Sequence, residues 1–167
     1  MNISEIIVKM IGNSNGNRHD INHFLKVYAY AKTIAECEKL SDEEQQIVEI
    51  AAVIHDIACP LCREKYGNTN GKYQEAEGVI LARKFLKDAG LPEKTTERII
   101  FLVGHHHTLQ GIDGMDYQIL IEADYLVNAD ESGYSEANIQ NTLANIFKTE
   151  TGKVLLKSVY LAGEFSD

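Results

Sequence analysis

All six histidines of the chain fall in three short clusters: His19 and His23, then His55, then His105, His106 and His107. His55 is followed at once by Asp56, at the end of an almost wholly apolar stripe running through Ile47, Ile50, Ala51 and Ile54. Far along the chain, Asp124 shares one helical face with Leu120, Ala123 and Val127, which turns it inward. An inward carboxylate with no partner costs on the order of several kcal/mol or takes up a proton, so it calls for a cation, a cluster of donors or a metal. Two imidazoles and two carboxylates form a mixed nitrogen and oxygen set suited to a divalent ion such as manganese, iron, cobalt, nickel or zinc. Magnesium also belongs on that list, and the identity of the ion stays open. With three cysteines, a closed four-thiolate zinc site is excluded.

The elements that must carry these groups are helical. Apolar residues recur three or four apart between turn signals rather than in alternation. Phe24, Val27, Tyr28, Ala31, Ile34 and Ala35 mark one helix face after a break at Gly12 to Asn17. Ser41 with Glu44 three residues on is a capping box that starts the next helix, and Pro60 is expected to stop it. The glycine- and asparagine-rich stretch from Tyr66 to Gly71 reads as an overhanging loop. Further helices are expected over Gln74 to Leu86, Thr95 to His107, Tyr117 to Ala129, Ser135 to Phe147 and Thr151 to Leu161. The expectation is therefore an all-α bundle of about six to eight helices forming one domain over residues 1–167.

Composition limits the function classes. The chain has 16 Lys and Arg against 25 Asp and Glu, a formal net charge of −9, and its basic residues are scattered. Such a surface repels phosphate backbones, so no nucleic acid polymer is expected as partner, whereas a small anion can still bind where a metal supplies positive charge. No apolar run approaches the roughly 20 residues that span a bilayer. No membrane is expected as partner. Met1 to Gly12 has neither a basic start nor a cleavage signal, and Cys37, Cys59 and Cys62 suit a reducing compartment. A cytoplasmic location follows as an expectation. The sequence carries no signal of oligomeric state.

The ordered set His23, His55-Asp56 and Asp124 resembles the H…HD…D pattern of the HD superfamily of metal-dependent phosphohydrolases. Asn22 to Val27 is similar to that family's H-x-x-R-V segment, Ala52 to Ile57 to its doublet helix, and Glu122 to Asn128 to its final-aspartate helix. The resemblance implies a helical HD domain in which His23, His55, Asp56 and Asp124 bind the metal. It also implies hydrolysis of a small phosphorylated substrate, a nucleotide or related phosphoester, with Asp56 also orienting water. Lys26 stands where many members carry arginine, and with Arg18 and His107 it is a candidate for gripping the substrate phosphate. Arg63, Lys65 and Lys72 are loop alternatives. Glu75 and His106 are candidate proton carriers or phosphate donors, with Glu77 beside them.

Some branches of the superfamily add a histidine on the following helix and a His-His pair on the one after, and so bind further metals. Gln74 occupies the first of those extra positions here, whereas Gly104-His105-His106-His107 retains the pair, best matched by His106 and His107. The histidines can alternatively cap the end of their helix. Two other functions remain in view, a di-iron oxygenase on the same fold and a non-catalytic metal or nucleotide sensor. Gln74 weighs against the first. Cys59-Pro60-Leu61-Cys62 has the spacing of a redox or zinc half-site but lacks a second pair and a strand–helix setting, so packing thiols are expected.

Overall fold

The computed structural model of the protein describes residues 1–161. Among the described residues nine helices run in order: α1 (Ile3–Asn13), α2 (Arg18–Cys37), α3 (Asp42–Ile54), α4 (Cys59–Tyr66), α5 (Gly71–Leu86), α6 (Glu93–Val103), α7 (Met115–Glu131), α8 (Glu136–Asn145) and α9 (Glu150–Tyr160). No strand occurs among the described residues, as the helical spacing requires. Eight results if Asp42–Tyr66 is taken as a single helical path bent at its middle. That path is apolar enough by length and composition to cross a membrane, but most of it is buried inside the protein. Its apolarity is that of a core helix.

α3 and α7 form the centre, and α2 packs against both. From Ile47 to Ile54 every residue of α3 is buried, and α7 is buried on nearly all sides. A helix that is apolar all round needs cover all round. α1 and α6 supply it for α3, while α5 lies on α6 and α9 closes over α7 and α2. Each of these core helices brings one polar group to the same place: His23 from α2, the doublet at the end of α3, and Asp124 from α7.

α1 and α4 were not marked by the patterns above. α1 begins with a capping box between Asn2 and Glu5 and buries Ile6 and Met10. The expectation for Pro60 is corrected: the helix before it has already ended at Ile54, and Pro60 opens α4. In the first turn the missing N–H of proline has no helical partner to lose.

Candidate metal centre

Helix α3 ends at the doublet because the backbone there tightens. Ile57 N–H donates to Ile54 O at 3.0 Å and Cys59 N–H to Asp56 O at 2.9 Å, three-residue steps in place of the α-helical four. In a regular helix His55 and Asp56 would diverge by about 100°. The turn lets both reach one point.

At that point lie the four side chains expected there. His23 Nε2 is 3.2 Å from His55 Nε2, 3.2 Å from Asp124 Oδ1 and 3.5 Å from Asp56 Oδ2. His55 Nε2 is 3.5 Å from Asp124 Oδ1 and 3.6 Å from Asp56 Oδ2. Donor atoms bound about 2.1 Å from one ion stand roughly 3.0 Å apart at right angles and roughly 3.4 Å apart in a tetrahedron. The observed separations match shared coordination. His55 is fully buried and His23 nearly so, whereas the side chain of Asp56 keeps 23% exposure.

The hydrogen bonds on the far sides of the rings decide which atoms face inward. His23 Nδ1 donates to Glu131 Oε2 at 2.8 Å, and His55 Nδ1 donates to Ala52 O at 2.8 Å. His106 Nδ1 donates to Val103 O at 2.8 Å in the same manner. A neutral imidazole has one N–H, so in each ring the Nε2 lone pair is left pointing inward. Three lone pairs therefore meet the oxygens of Asp56 and Asp124, and Asn128 Nδ2 donates to Asp124 Oδ1 at 2.9 Å. His106 Nε2 is buried with no hydrogen-bond partner, 3.3 Å from Asp56 Oδ1. Only a positive charge reconciles such a set, and the donors fit a divalent cation.

The electrostatics agree. Burial alone would raise the Asp56 and Asp124 carboxyls, but the surrounding imidazoles hold both well below the usual carboxylate range. Burial would lower His23, yet Asp124, Asp56 and Glu131 push it up to about 9. Without an ion, a proton fills the same electrostatic need. His107 is lowered to about 4, by burial first and then by the neighbouring His106.

The histidine turn departs from the expected helix, because α6 ends at Val103. His105 turns back, its Nδ1 donating to Phe101 O at 2.7 Å while its ring stacks on Phe101. It is the helix-end cap. His106 points to Asp56, and His107 lies at the cavity with its ring against Gly71, where a Cβ would come within 2.8 Å of it.

Other candidates have different positions. Glu75 does not face the cavity: it accepts from His107 N–H at 3.0 Å and from the Thr108 hydroxyl at 2.9 Å, so it holds the histidine turn. Lys26 donates to Glu131 Oε1 at 2.8 Å, and Glu131 in turn stands behind His23. Arg18 is exposed at the start of α2, outside the residues that line the cavities at the centre. Arg63 does line one, but both its terminal nitrogens bind Asp20, at 2.8 and 2.5 Å. Lys65 pairs with Glu77 at 2.5 Å.

Glu131, which the motif omits, backs the His23 ring. The spacing Asp124, Asn128, Glu131 puts all three on one face of α7, which is the signal that could have found it. Gln74 lines the polar cavity, accepting from Cys59 Sγ at 3.2 Å and donating to Thr69 O at 2.7 Å. Cys59 and Cys62 are buried free thiols, and burial followed by Asp56 pushes the Cys59 thiol up, so it stays protonated.

Two cavities open from the centre. One, of about 180 Å³, is lined by polar groups including Asp20, Asp56, Arg63 and Glu131. The other, of about 310 Å³, runs along α7 towards Tyr125 and Tyr134. His107, Asp124 and Asn128 line both.

The HD domain family matches residues 20–148, a span that holds every residue of this centre. The chain belongs to the HD-domain family. Its fold is similar to a crystal structure of a predicted HD superfamily hydrolase from an uncultured Thermotogales bacterium. The two share 25% identity with a TM-score of 0.66, over 98% of this chain and 86% of that one. No curated protein matches the chain.

Proposed function

We propose that this HD-domain chain, as one unit over residues 1–167, is a metal-dependent phosphohydrolase of the cytoplasm. Its substrate is a small phosphorylated molecule, a nucleotide or related phosphoester. The observation that carries the reading is the inward convergence of His23, His55 and His106 Nε2 on Asp56 and Asp124, beside an open cavity. The hydrolase character of the similar Thermotogales protein supports it. The net charge of −9 and the pairing of Lys26, Arg63, Lys65 and Arg98 with carboxylates weigh against a nucleic acid polymer or an anionic membrane as partner.

His23, His55, Asp56 and Asp124 would hold the ion. A divalent cation supplies Lewis acidity there, polarising a phosphoryl oxygen and making water more acidic. The protein's own groups do the rest. Glu131 fixes the tautomer of His23 and strengthens it as a donor, and Lys26 balances the charge of Glu131. Asp56, the most exposed of the four, accepts a hydrogen bond from the attacking water and orients it. With a proton on Nε2 as well, His106 would donate to a phosphoryl oxygen beside Asp56, and His107 lines the cavity on which that oxygen would lie.

Protein purified without chelators should carry about one equivalent of a divalent metal per chain, as four converging ligands imply. It should also release phosphate from members of a phosphoester panel. Asp56→Ala should keep its helical fold and lose both. Full activity in that variant would overturn the assignment.

A further inference from the structure

The cavity along α7 differs from the polar one in ways that bear on the substrate. Ile121, Asp124, Tyr125 and Asn128 follow at three- and four-residue steps, so one face of α7 leads from the metal ligands into it. Its far walls are Leu109, Tyr134, Thr142 and Ile146. Leu109 and Tyr134 are 50% and 38% exposed, large apolar side chains left uncovered at the mouth. The rings of Tyr125 and Tyr134 lie 5.4 Å apart, and the Tyr125 hydroxyl donates to Asn138 Oδ1 at 2.6 Å. Beyond Asp124 and the histidines these walls are uncharged, the aromatic and aliphatic side chains being joined by Asn128, Asn138 and Thr142.

Charge limits what can enter. No lysine or arginine lines this cavity. In the polar cavity Arg63 is the one lysine or arginine among the lining residues, and Asp20 holds it there beside Asp56, Asp124 and Glu131. A divalent ion with Arg63 and Lys26 just balances those four carboxylates. Among the residues lining the two cavities there is no further lysine or arginine for a second or third phosphate. Enzymes that hold polyphosphate chains need several cationic groups or backbone donors along them.

From this asymmetry we infer that the substrate carries one phosphoryl group, seated at the metal centre. Its organic part is an uncharged, ring-sized apolar group, packed between Tyr134, Tyr125, Leu109 and Ile146. A volume of about 310 Å³ suits such a group and lies at the small end of ligand cavities. The inference deepens the proposed phosphohydrolase and rests on its metal centre. Burial of one aromatic ring favours binding at least tenfold over a methyl group, about 1.4 kcal/mol.

Phosphonates test this without turnover, because their carbon–phosphorus bond is not hydrolysed. Calorimetry on the full chain loaded with manganese should show phenylphosphonate binding at least tenfold more tightly than methylphosphonate. Tyr134→Ala and Leu109→Ala, both at exposed positions, should each shrink that ratio at least threefold. Phenylphosphonate extended by a second phosphorus through a methylene bridge, which also resists hydrolysis, should bind no more tightly than phenylphosphonate. Equal affinities, absence of binding, a ratio untouched by both variants, or a tenfold gain from the second phosphorus would each overturn the inference. A tenfold phenyl preference in a chain that hydrolyses no ester would leave the pocket assignment standing and retire the phosphohydrolase reading.

Discussion

Two carboxylates two residues apart on α7 are both buried, and they live in opposite chemistries. Glu122 is fully buried and surrounded by donors: Gln118 Nε2 at 2.7 Å, the Lys148 and Thr149 amides at 2.6 and 3.0 Å, and the Thr149 hydroxyl. The two amides lie at the start of α9, where the helix dipole also favours a negative charge. Asp124, turned about 200° around the helix, faces imidazole lone pairs and another carboxylate, with Asn128 donating to it. Burial of charge alone therefore does not mark a functional site. What marks it is a set of neighbours that cannot satisfy the charge without a cation.

Substitutions can break that contrast. Asp124→Asn should show the largest effect, losing the bound metal and at least 1000-fold of any hydrolytic activity while the helical circular dichroism persists. Glu122→Gln should do the reverse. It should lower stability by about 3 kcal/mol in urea unfolding, because the network at the start of α9 loses its charge, yet metal content should stay at the wild-type level. Metal loss in both variants, or in neither, would erase the distinction.

Two milder variants sharpen it. Glu131→Gln removes the carboxylate behind His23, and metal affinity should fall about 10- to 100-fold in a competitive chelator titration. Lys26→Met acts one step further out, and its effect should be only a few-fold in the same titration. If Lys26→Met instead raises KM for the substrate and leaves metal affinity alone, Lys26 grips phosphate after all.

The metal set was legible in the sequence because each member breaks an apolar stripe. His23 adjoins the face of Phe24 and Val27, and Asp124 stands among Leu120, Ala123 and Val127. The outer groups were less legible, because a charged residue near a helix end looks the same whether it faces solvent or the back of a ligand. Glu131 sits at the last position of α7 and Lys26 is 46% exposed, yet the two meet over His23. Glu75 is ambiguous in sequence for a related reason. Its place beside the loop suggested an acid or base, while its carboxylate caps the histidine turn through contacts more than 30 residues away in sequence. Pro60 misled because the stop signal it carries is also a start signal, and the turn at Asp56 chose between them.

The most direct test of the centre is X-ray absorption at the metal edge of protein loaded with manganese or zinc. The account predicts a first shell of nitrogen and oxygen only, with the outer-ring scattering of at least two imidazoles, and loss of that imidazole signal in a His23→Ala, His55→Ala double variant. A shell containing sulfur, or one without imidazole scattering, would contradict it.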